Sequence, residues 1–435
     1  MQLEDKVSAA YKGHNFKTDK LTSVVILSMN RYDDLKANIE SLYKHTTLPF
    51  EVIILDNGST QQNTIKYLQK INGKTKQDGN GRIKVIFKRT NLGCSAGRNE
   101  AIKQVSPNAS YIATIDNDIT YTKGWLEELI RAVESDSQIG AACAKVVLPE
   151  GDIQLTGGKI QTNDKYYASF RQINEGKRWD SNDTNRQEEC DWLPGGAMLI
   201  KKGVADLVEH AKGYLNGFED YDYSLQIRKK GYKLVSAPES ILIHHHIMRD
   251  KGKQEREKDY LRHRWDHKLT FESMLLFLER TGLNLVKDTC YYGRNWEGPK
   301  DFLEPYPEEQ ARMLKPYEQY SDAELKEHFE RLLTVRKQRR KALPLEQLFY
   351  YHHDMFAKGF QQYNLTNLAS HLVWRLPNER YLTLEQLFME ELLNHGVVKD
   401  RTIVEKLAQE LARKYTIACR LNATEIGLVL KELQC

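Results

Sequence analysis

Four short apolar runs in the first third of the chain, each ending on a polar group, constrain its fold more than any other feature. Residues 23–28 (SVVILS) lead into Asn30 and Arg31, and residues 50–55 (FEVIIL) lead into Asp56-Asn57-Gly58-Ser59. Residues 83–87 (IKVIF) precede Asn91-Leu92-Gly93, and residues 111–115 (YIATI) run into Asp116-Asn117-Asp118. Unbroken apolar runs of this length read as strands buried on both faces, the usual state in a parallel sheet. Between them lie helical patterns: Leu35, Ile39, Leu42 and Tyr43, then a helix start at Ser95-Ala96-Gly97-Arg98, then another near Gly124-Trp125. Strand and helix thus alternate over about 100 residues, which predicts a βαβ array with its ligand edge at the strand C-termini.

Asp, Asn and Gly favour turns, so one polar strand end carries no information. Four in succession place Asn30/Arg31, Asp56, Arg98 and Asp116/Asp118 along one edge. Two acids one residue apart at the end of a buried strand are costly to desolvate without a positive partner. A Mg²⁺ or Mn²⁺ carrying substrate phosphates is such a partner, because these ions keep one or two protein carboxylates and take their other ligands from water and phosphate. The plain alternative is a turn with solvated Asp side chains.

Further along, Glu219-Asp220-Tyr221-Asp222 opens a helix continued by Leu225, Ile227 and Arg228. First-turn acids are favoured by the helix dipole, so the cluster reads either as a cap or as site carboxylates. His244-His245-His246 follows the apolar run 241–243; on a strand His244 and His246 face one side and His245 the other. Trp192 precedes Pro194-Gly195-Gly196, where glycine lets backbone approach a ligand and the indole either stacks on a sugar or packs in the core. Residues 151–190 read as polar and loop-rich, a stretch suited to shaping a groove beside a ligand cleft.

The segments S-V-V-I-L-S-M-N-R, V-I-I-L-D-N-G-S, N-L-G-C-S-A-G-R-N-E-A-I and I-D-N-D, in this order, resemble the nucleotide-binding half of family 2 glycosyltransferases of the GT-A fold. Pro194 to Ile200 is similar to that family's P-G-G acceptor-side segment, and residues 217–225 to its E-D stretch, one residue tight in spacing. Pro238 with His244 six residues later looks like the strand whose histidine completes the metal site. The resemblance spans about residues 22–280. It implies a GT-A, Rossmann-like α/β catalytic domain and a nucleotide-sugar donor, with UDP as the nucleotide. It further implies donor contacts from Asn30, Arg31, Asp56, Arg98, Asp116, Asn117, Gly195 and Gly196. Asp118 and His244 would hold Mn²⁺ or Mg²⁺, with Asp116 on the ribose or the metal. Asp220 would act as base in an inverting transfer to a hydroxyl, with Glu219 as the competing choice of register. Two other readings stand beside it: a nucleotidyltransferase acting on sugar phosphates, and a non-catalytic glycan- or partner-binding protein on the same core. The first would want a basic Gly-rich loop after the opening strand, which Ser28 to Tyr32 does not provide.

The 435 residues suggest two or three domains, and a net charge of +4 gives no reason to expect nucleic-acid binding. Mean hydropathy of −0.63, no apolar run long enough to span a bilayer and no apolar leader predict a cytoplasmic protein. The six cysteines lack a C-x-x-C pair, which fits reduced thiols. The expected layout is an N-terminal arm or short helix (1–21), the GT-A domain (22–280), an irregular connection (281–320) and an all-helical domain (321–435). The last opens on the capping box Ser321-Asp322-Ala323-Glu324, with Leu325, Phe329, Leu332 and Leu333 at helical spacing. Its basic run, residues 336–341, reads as a solvated face or as a contact for an anionic membrane surface or glycan. The expected partners are the nucleotide-sugar donor, a glycan or protein acceptor, and a second copy of the chain.

Overall fold

The computed structural model describes residues 3–13, 16–163, 167–214 and 217–246, with isolated positions beyond (269, 273, 276, 277, 279–281, 283–285, 405 and 409). The first 116 residues give α1 (Leu3–Ala10), β1 (Leu21–Ser28), α2 (Tyr32–His45), β2 (Phe50–Asp56), α3 (Gln62–Ile71), β3 (Arg82–Phe87), α4 (Gly93–Ile102) and β4 (Ala109–Asp116). Then follow β5 (Ile119–Tyr121), α5 (Trp125–Glu134), β6 (Ile139–Val147), β7 (Ile153–Leu155), β8 (Gly158–Asn163), β9 (Tyr167–Gln172) and β10 (Glu189–Cys190). The remaining strands and α-helices up to His244 are β11 (Ala197–Lys201), α6 (Lys202–Ala205), α7 (Glu219–Lys229) and β12 (Lys233–His244).

The main sheet runs β10-β12-β6-β11-β4-β1-β2-β3, with β5 added to β12 and β7 to β6. The pairs β1–β2, β1–β4, β2–β3 and β6–β12 are parallel, so the expected mostly parallel α/β sheet is present. The insertion of β11 matters most for function. It runs antiparallel between β4 and β6, with Ala197 opposite Ile115, and so lays Gly195-Gly196 against the end of β4.

Burial explains why these runs are strands. Val24, Ile26, Val52, Ile54, Leu55, Ile112 and Ala113 are fully buried, and all nine residues of β6 lie inside. α4 packs on β1 and β2, while α5 packs on β12, β6 and β11 through Trp125, Leu126, Leu129, Ile130 and Val133. Each such side chain stabilises the fold by about 1.5–3 kcal/mol. β12 breaks register between Ala237 and Ile241, around Pro238, which cannot donate to a ladder. Ser240 Oγ donates to the Trp125 carbonyl (2.7 Å) within this bulge, and the strand then resumes to deliver His244.

Of the two readings of the leading segment, arm or short helix, the helix is present, and it is docked: Val7 packs with Val147 and Ile241, and the Tyr11 hydroxyl donates to Glu128 (2.9 Å). A side chain at Gly124, which has φ +85°, would overlap the Tyr11 ring, so this position must be glycine. Residues 151–190, expected as loop, contain β7, β8, β9 and β10. Their strands are short and polar, and tertiary pairing holds them where local pattern does not.

The chain divides into two compact units, Met1–Asn163 with Ala168–Lys258, and Asp164–Tyr167 with Asp259–Cys435. In the second, Phe277 and Ser273 are buried, Thr281 Oγ1 donates to the Phe277 carbonyl (2.7 Å), and Glu405 and Gln409 are helical. The expected connection, the other helices and the basic run lie outside the described residues. Among the described residues no helix is long and apolar enough to cross a membrane.

Candidate active site

The Asp116-Asn117-Asp118 turn is clamped from three directions. From α2, the fully buried Asn38 donates its amide to the carbonyls of Asp116 (3.0 Å) and Ile119 (2.8 Å). Ahead of β11, the Gly196 carbonyl accepts the Asp116 N–H (2.9 Å). Past β12, the His245 N–H donates to the Asp118 carbonyl (2.9 Å), and His244 pairs with Ile119 in the ladder. Asp116, Asp118 and His244 consequently converge, each offering one ligand atom, all within 4.8 Å of one another.

The donor chemistry suits a hard divalent ion. Asp118 Oδ1 lies 3.2 Å from His244 Nε2, and its Oδ2 lies 3.1 Å from Arg31, while Asp116 is 45% exposed and has room for a ligand. Burial pushes the Asp118 carboxyl up, but His244 and Arg31 more than offset this and hold it well below the usual carboxylate range. Desolvation lowers His244, and the Asp118 charge and hydrogen bond outweigh that and raise it. Among the described residues, five carboxylates (Asp34, Asp116, Asp118, Glu219, Asp220) meet two guanidinium groups here, those of Arg31 and Arg98. That excess of negative charge in a largely buried place fits a bound cation.

Arg98, on α4, is the hub of the second cluster. It contacts Asp220 Oδ1 at 2.9 Å, Asp116 Oδ1 at 3.3 Å and Glu219 Oε1 at 3.8 Å, with only 6% of its side chain exposed. Glu219 and Asp220 form the first turn of α7, following Phe218 in the left-handed region (φ +69°). Desolvation raises the Asp220 carboxyl to about 6, against the lowering pull of Arg98 and with a further push from Glu219. Asp222, in the same cluster of sequence, turns elsewhere and accepts from the Tyr214 hydroxyl (3.0 Å) and the Gln226 amide (3.1 Å).

The glycine pair is dictated by these acids. A Cβ on Gly195 would overlap Asp220 Oδ1 and crowd Arg98 (2.5 Å), and one on Gly196 would overlap the Asp116 carboxylate. The site's own side chains thus already approach this backbone closely. Arg98, expected on the donor, is likewise occupied by three carboxylates.

Of the remaining expected donor residues, Arg31 pairs with Asp118, while Asn30 and Asp56 are linked through Ser59. Asn30 and Arg31 both have left-handed backbones (φ 56° and 59°), a rare pair for residues other than glycine. The Asn30 N–H donates to Ser59 Oγ (2.7 Å), and its side-chain oxygen accepts from Thr60 and Gln61 (2.8 and 3.0 Å). Ser59 in turn donates to buried Asp56 from its N–H (3.2 Å) and its hydroxyl. Burial raises Asp56, and the Ser59 bonds offset part of that. Asn30 thus shapes the Asp56 loop. Asn117 is buried, with its amide 3.5 Å from Ser28 Oγ.

Trp192 takes the packing alternative: it is 4% exposed, fills the space a Gly158 side chain would need, and meets Tyr221 edge-on at 4.7 Å. Phe170 stacks on Tyr221 at 4.0 Å, completing an aromatic cluster at the start of α7.

Two contributors to the site, Asn38 and Gln154, carry no motif in the sequence, and neither does the buried Lys145 outside it. Gln154 Oε1 lies 2.6 Å from His244 Nδ1. Lys145, fully buried in β6, donates to the Trp179 carbonyl (3.0 Å), Thr184 Oγ1 (3.0 Å) and Asn185 Oδ1 (2.8 Å). The only available signal was composition: a lysine inside an otherwise apolar strand needs acceptors somewhere.

Residues 23–190 match the family described as Glycosyl transferase family 2. Protein y4gI of Sinorhizobium fredii is 24% identical over 272 residues, covering 56% of this chain and 27% of that protein. The O-antigen biosynthesis protein RfbC of Myxococcus xanthus is 23% identical over 252 residues, covering 55% of this chain and 18% of its own length. The chain therefore spans about a quarter or less of these relatives. A solved structure of GalNAc-T7 with UDP, GalNAc and Mn²⁺ aligns at 16% identity and a TM-score of 0.44, covering 67% of this chain and 55% of that one.

Proposed function

We propose that the chain, whose residues 23–190 match the family described as Glycosyl transferase family 2, moves a sugar from a nucleoside diphosphate to a hydroxyl of a glycan or protein acceptor, with inversion. The observation that carries this reading is the convergence of Asp116, Asp118 and His244 beside the Arg98–Asp220 pair. Asp118 and His244, with Asp116, are the residues that would hold Mn²⁺ or Mg²⁺. When bound, the ion neutralises charge building on the leaving diphosphate.

Asp220 is assigned the proton transfer. A base works best with its pKa near working pH, and a carboxyl raised to about 6 suits that better than an ordinary one. The acceptor oxygen bonds to the anomeric carbon, the carbon–phosphate oxygen bond breaks, and Asp220 takes the hydroxyl proton. Arg98 keeps that carboxylate pointed at the reaction centre, and its closer approach favours Asp220 over Glu219. Asp56 is assigned to the nucleoside, read as uridine. The name of the Myxococcus relative supports a glycan acceptor.

A thermal-shift panel of nucleotide sugars with and without Mn²⁺, paired with release of nucleoside diphosphate, tests the assignment. The expected result is metal-dependent stabilisation by one donor class, since a ligand of the native state raises its melting point. Full turnover in EDTA, or no nucleoside diphosphate from any donor, overturns it.

A further inference from the structure

His244 is the only ring among the three candidate ligands, and a ring nitrogen can bind an ion only through a free lone pair. Its two nitrogens have different neighbours. Nε2 faces Asp118 Oδ1 at 3.2 Å, while Nδ1 meets the side-chain oxygen of Gln154 at 2.6 Å. Gln154 reaches it from β7, the hairpin partner of β6, and β6 is the parallel neighbour of β12. Register aligns them: Val147 pairs with Ile153 on one side and with Ile243 on the other. Ile153 and Leu155 are buried at 1% and 6%, so strand alternation turns Gln154 to the face where the ring lies.

We propose that Gln154 is a positioning residue for the ion site: its Oε1 accepts the Nδ1 proton of His244 and leaves the Nε2 lone pair aimed at the ion beside Asp118. The proposal rests on the metal reading above. It follows from hydrogen-bond arithmetic. A neutral imidazole carries one proton; once an ion takes the Nε2 side in place of the Asp118 contact, the side-chain oxygen at Nδ1 is the acceptor that holds it. The opposite amide orientation would put the proton on Nε2, aim an N–H at the ion, and close the site. Residues that hold a metal-binding ring in this way set both its orientation and its basicity.

The test uses the full chain and Mn²⁺ alone, titrated by the paramagnetic resonance signal of the free ion. Gln154→Leu keeps the size and removes the acceptor, and its Mn²⁺ affinity should fall about 10–100-fold. Gln154→Glu keeps an acceptor and should bind at least as well as the unaltered chain. The metal-free melting temperature of both should stay near that of the unaltered chain, which a merely structural role would not allow. Long-range nitrogen–proton spectra of the chain loaded with diamagnetic Mg²⁺, where the ion takes the Nε2 side, should show the proton on Nδ1 and would decide the tautomer even if Gln154→Leu failed to fold. If the unaltered chain binds and His244→Ala does not, while Gln154→Leu keeps its affinity, the Gln154 role alone is overturned. A proton found on Nε2 has the same consequence. If the unaltered chain binds no Mn²⁺, the metal reading falls and takes this inference with it.

Discussion

The sheet is built in two styles on either side of Asp116. From β1 to β4 the strands are six to eight residues long, parallel and joined by helices, and they deliver Arg31, Asp56 and Asp116 from their C-terminal ends. After Asp116 they range from two to twelve residues, mostly antiparallel, with a bulge in the longest. The first style places polar groups by a general rule of α/β sheets. The second corrects them: β11, α7 and β12 bring glycines, acids and a histidine up against groups the first half has already set out. The difference teaches that the place of the site comes from one half and its chemistry from contacts between both.

The sharpest way to break this division is at Asp118, which joins the two halves. Asp118→Asn removes the charge facing both Arg31 and His244. Turnover should fall to background and Mn²⁺ binding should weaken by more than about 100-fold, the upper range for losing even an outer partner of a metal ligand. Circular dichroism should be unchanged, because Asn38, Gly196 and His245 hold the turn through backbone groups. Full activity at saturating Mn²⁺ would show that the second half does not complete a metal site.

Asp220→Asn is the next largest. It should lower kcat about 10²–10⁴-fold while Mn²⁺ still binds. The pH profile carries the sign. A base must be deprotonated to act, so kcat/KM of the unaltered chain should fall as pH drops through about 6, the level to which burial raises this carboxyl. That limb should vanish in the variant. If Glu219→Gln loses more than Asp220→Asn, the base is the neighbouring acid.

Two glycine substitutions sharpen the comparison at smaller amplitude. Gly196→Ala collides with the Asp116 carboxylate, a side-chain end that can swing away, so the protein should fold but lose about tenfold in Mn²⁺ affinity. Gly158→Ala collides with the buried Trp192 indole, which has nowhere to go. It should destabilise by about 1–3 kcal/mol with little effect on metal binding. Denaturant melts and Mn²⁺ titrations of the two variants should give opposite patterns.

The same division explains what was legible in the sequence. The runs at 23–28, 50–55, 83–87 and 111–115 appear as β1 to β4 with ends shifted by no more than two residues, because burial on both faces imprints an unbroken apolar pattern. Asp118 was read from two acids at a strand end, Asp220 and His244 were assigned by resemblance to a family, and the convergence of Asp116, Asp118 and His244 could not be read from spacing. β7 to β10 escaped because strands of two to six residues with polar members look like loop. Asn38 looked like one more polar residue on an amphipathic helix, yet it holds the carbonyls of Asp116 and Ile119, 78 and 81 residues away. Gly195 and Gly196 were read as room for a ligand, and no sequence signal shows that Asp220, Arg98 and Asp116 also lie where a Cβ at these positions would be.

The smallest predicted effect concerns Lys145, which ties β6 to the loop from Trp179 to Asn185. Its three acceptors match the three donors of an ammonium, so the charge is satisfied by geometry although no carboxylate touches it within those bonds. Burial still lowers its pKa to about 8, below its ordinary value of 10.5. The unfolded chain therefore holds this proton more tightly than the folded one between those two values. Stability should rise with pH across that window, by up to about 3 kcal/mol at its upper end. Lys145→Met is close in size and cannot titrate, so the difference between the two melting curves isolates this group from the tyrosines and other lysines. Below pH 8 the variant gives up three charged hydrogen bonds but also the cost of desolvating an ammonium. These offset, leaving a net change of about 1–3 kcal/mol at most. Mn²⁺ affinity should not move, because the lysine acts on the loop and not on the acids. A melting-temperature difference that stays flat from pH 7.5 to 10 would mean that the three acceptors hold the proton as firmly as water does.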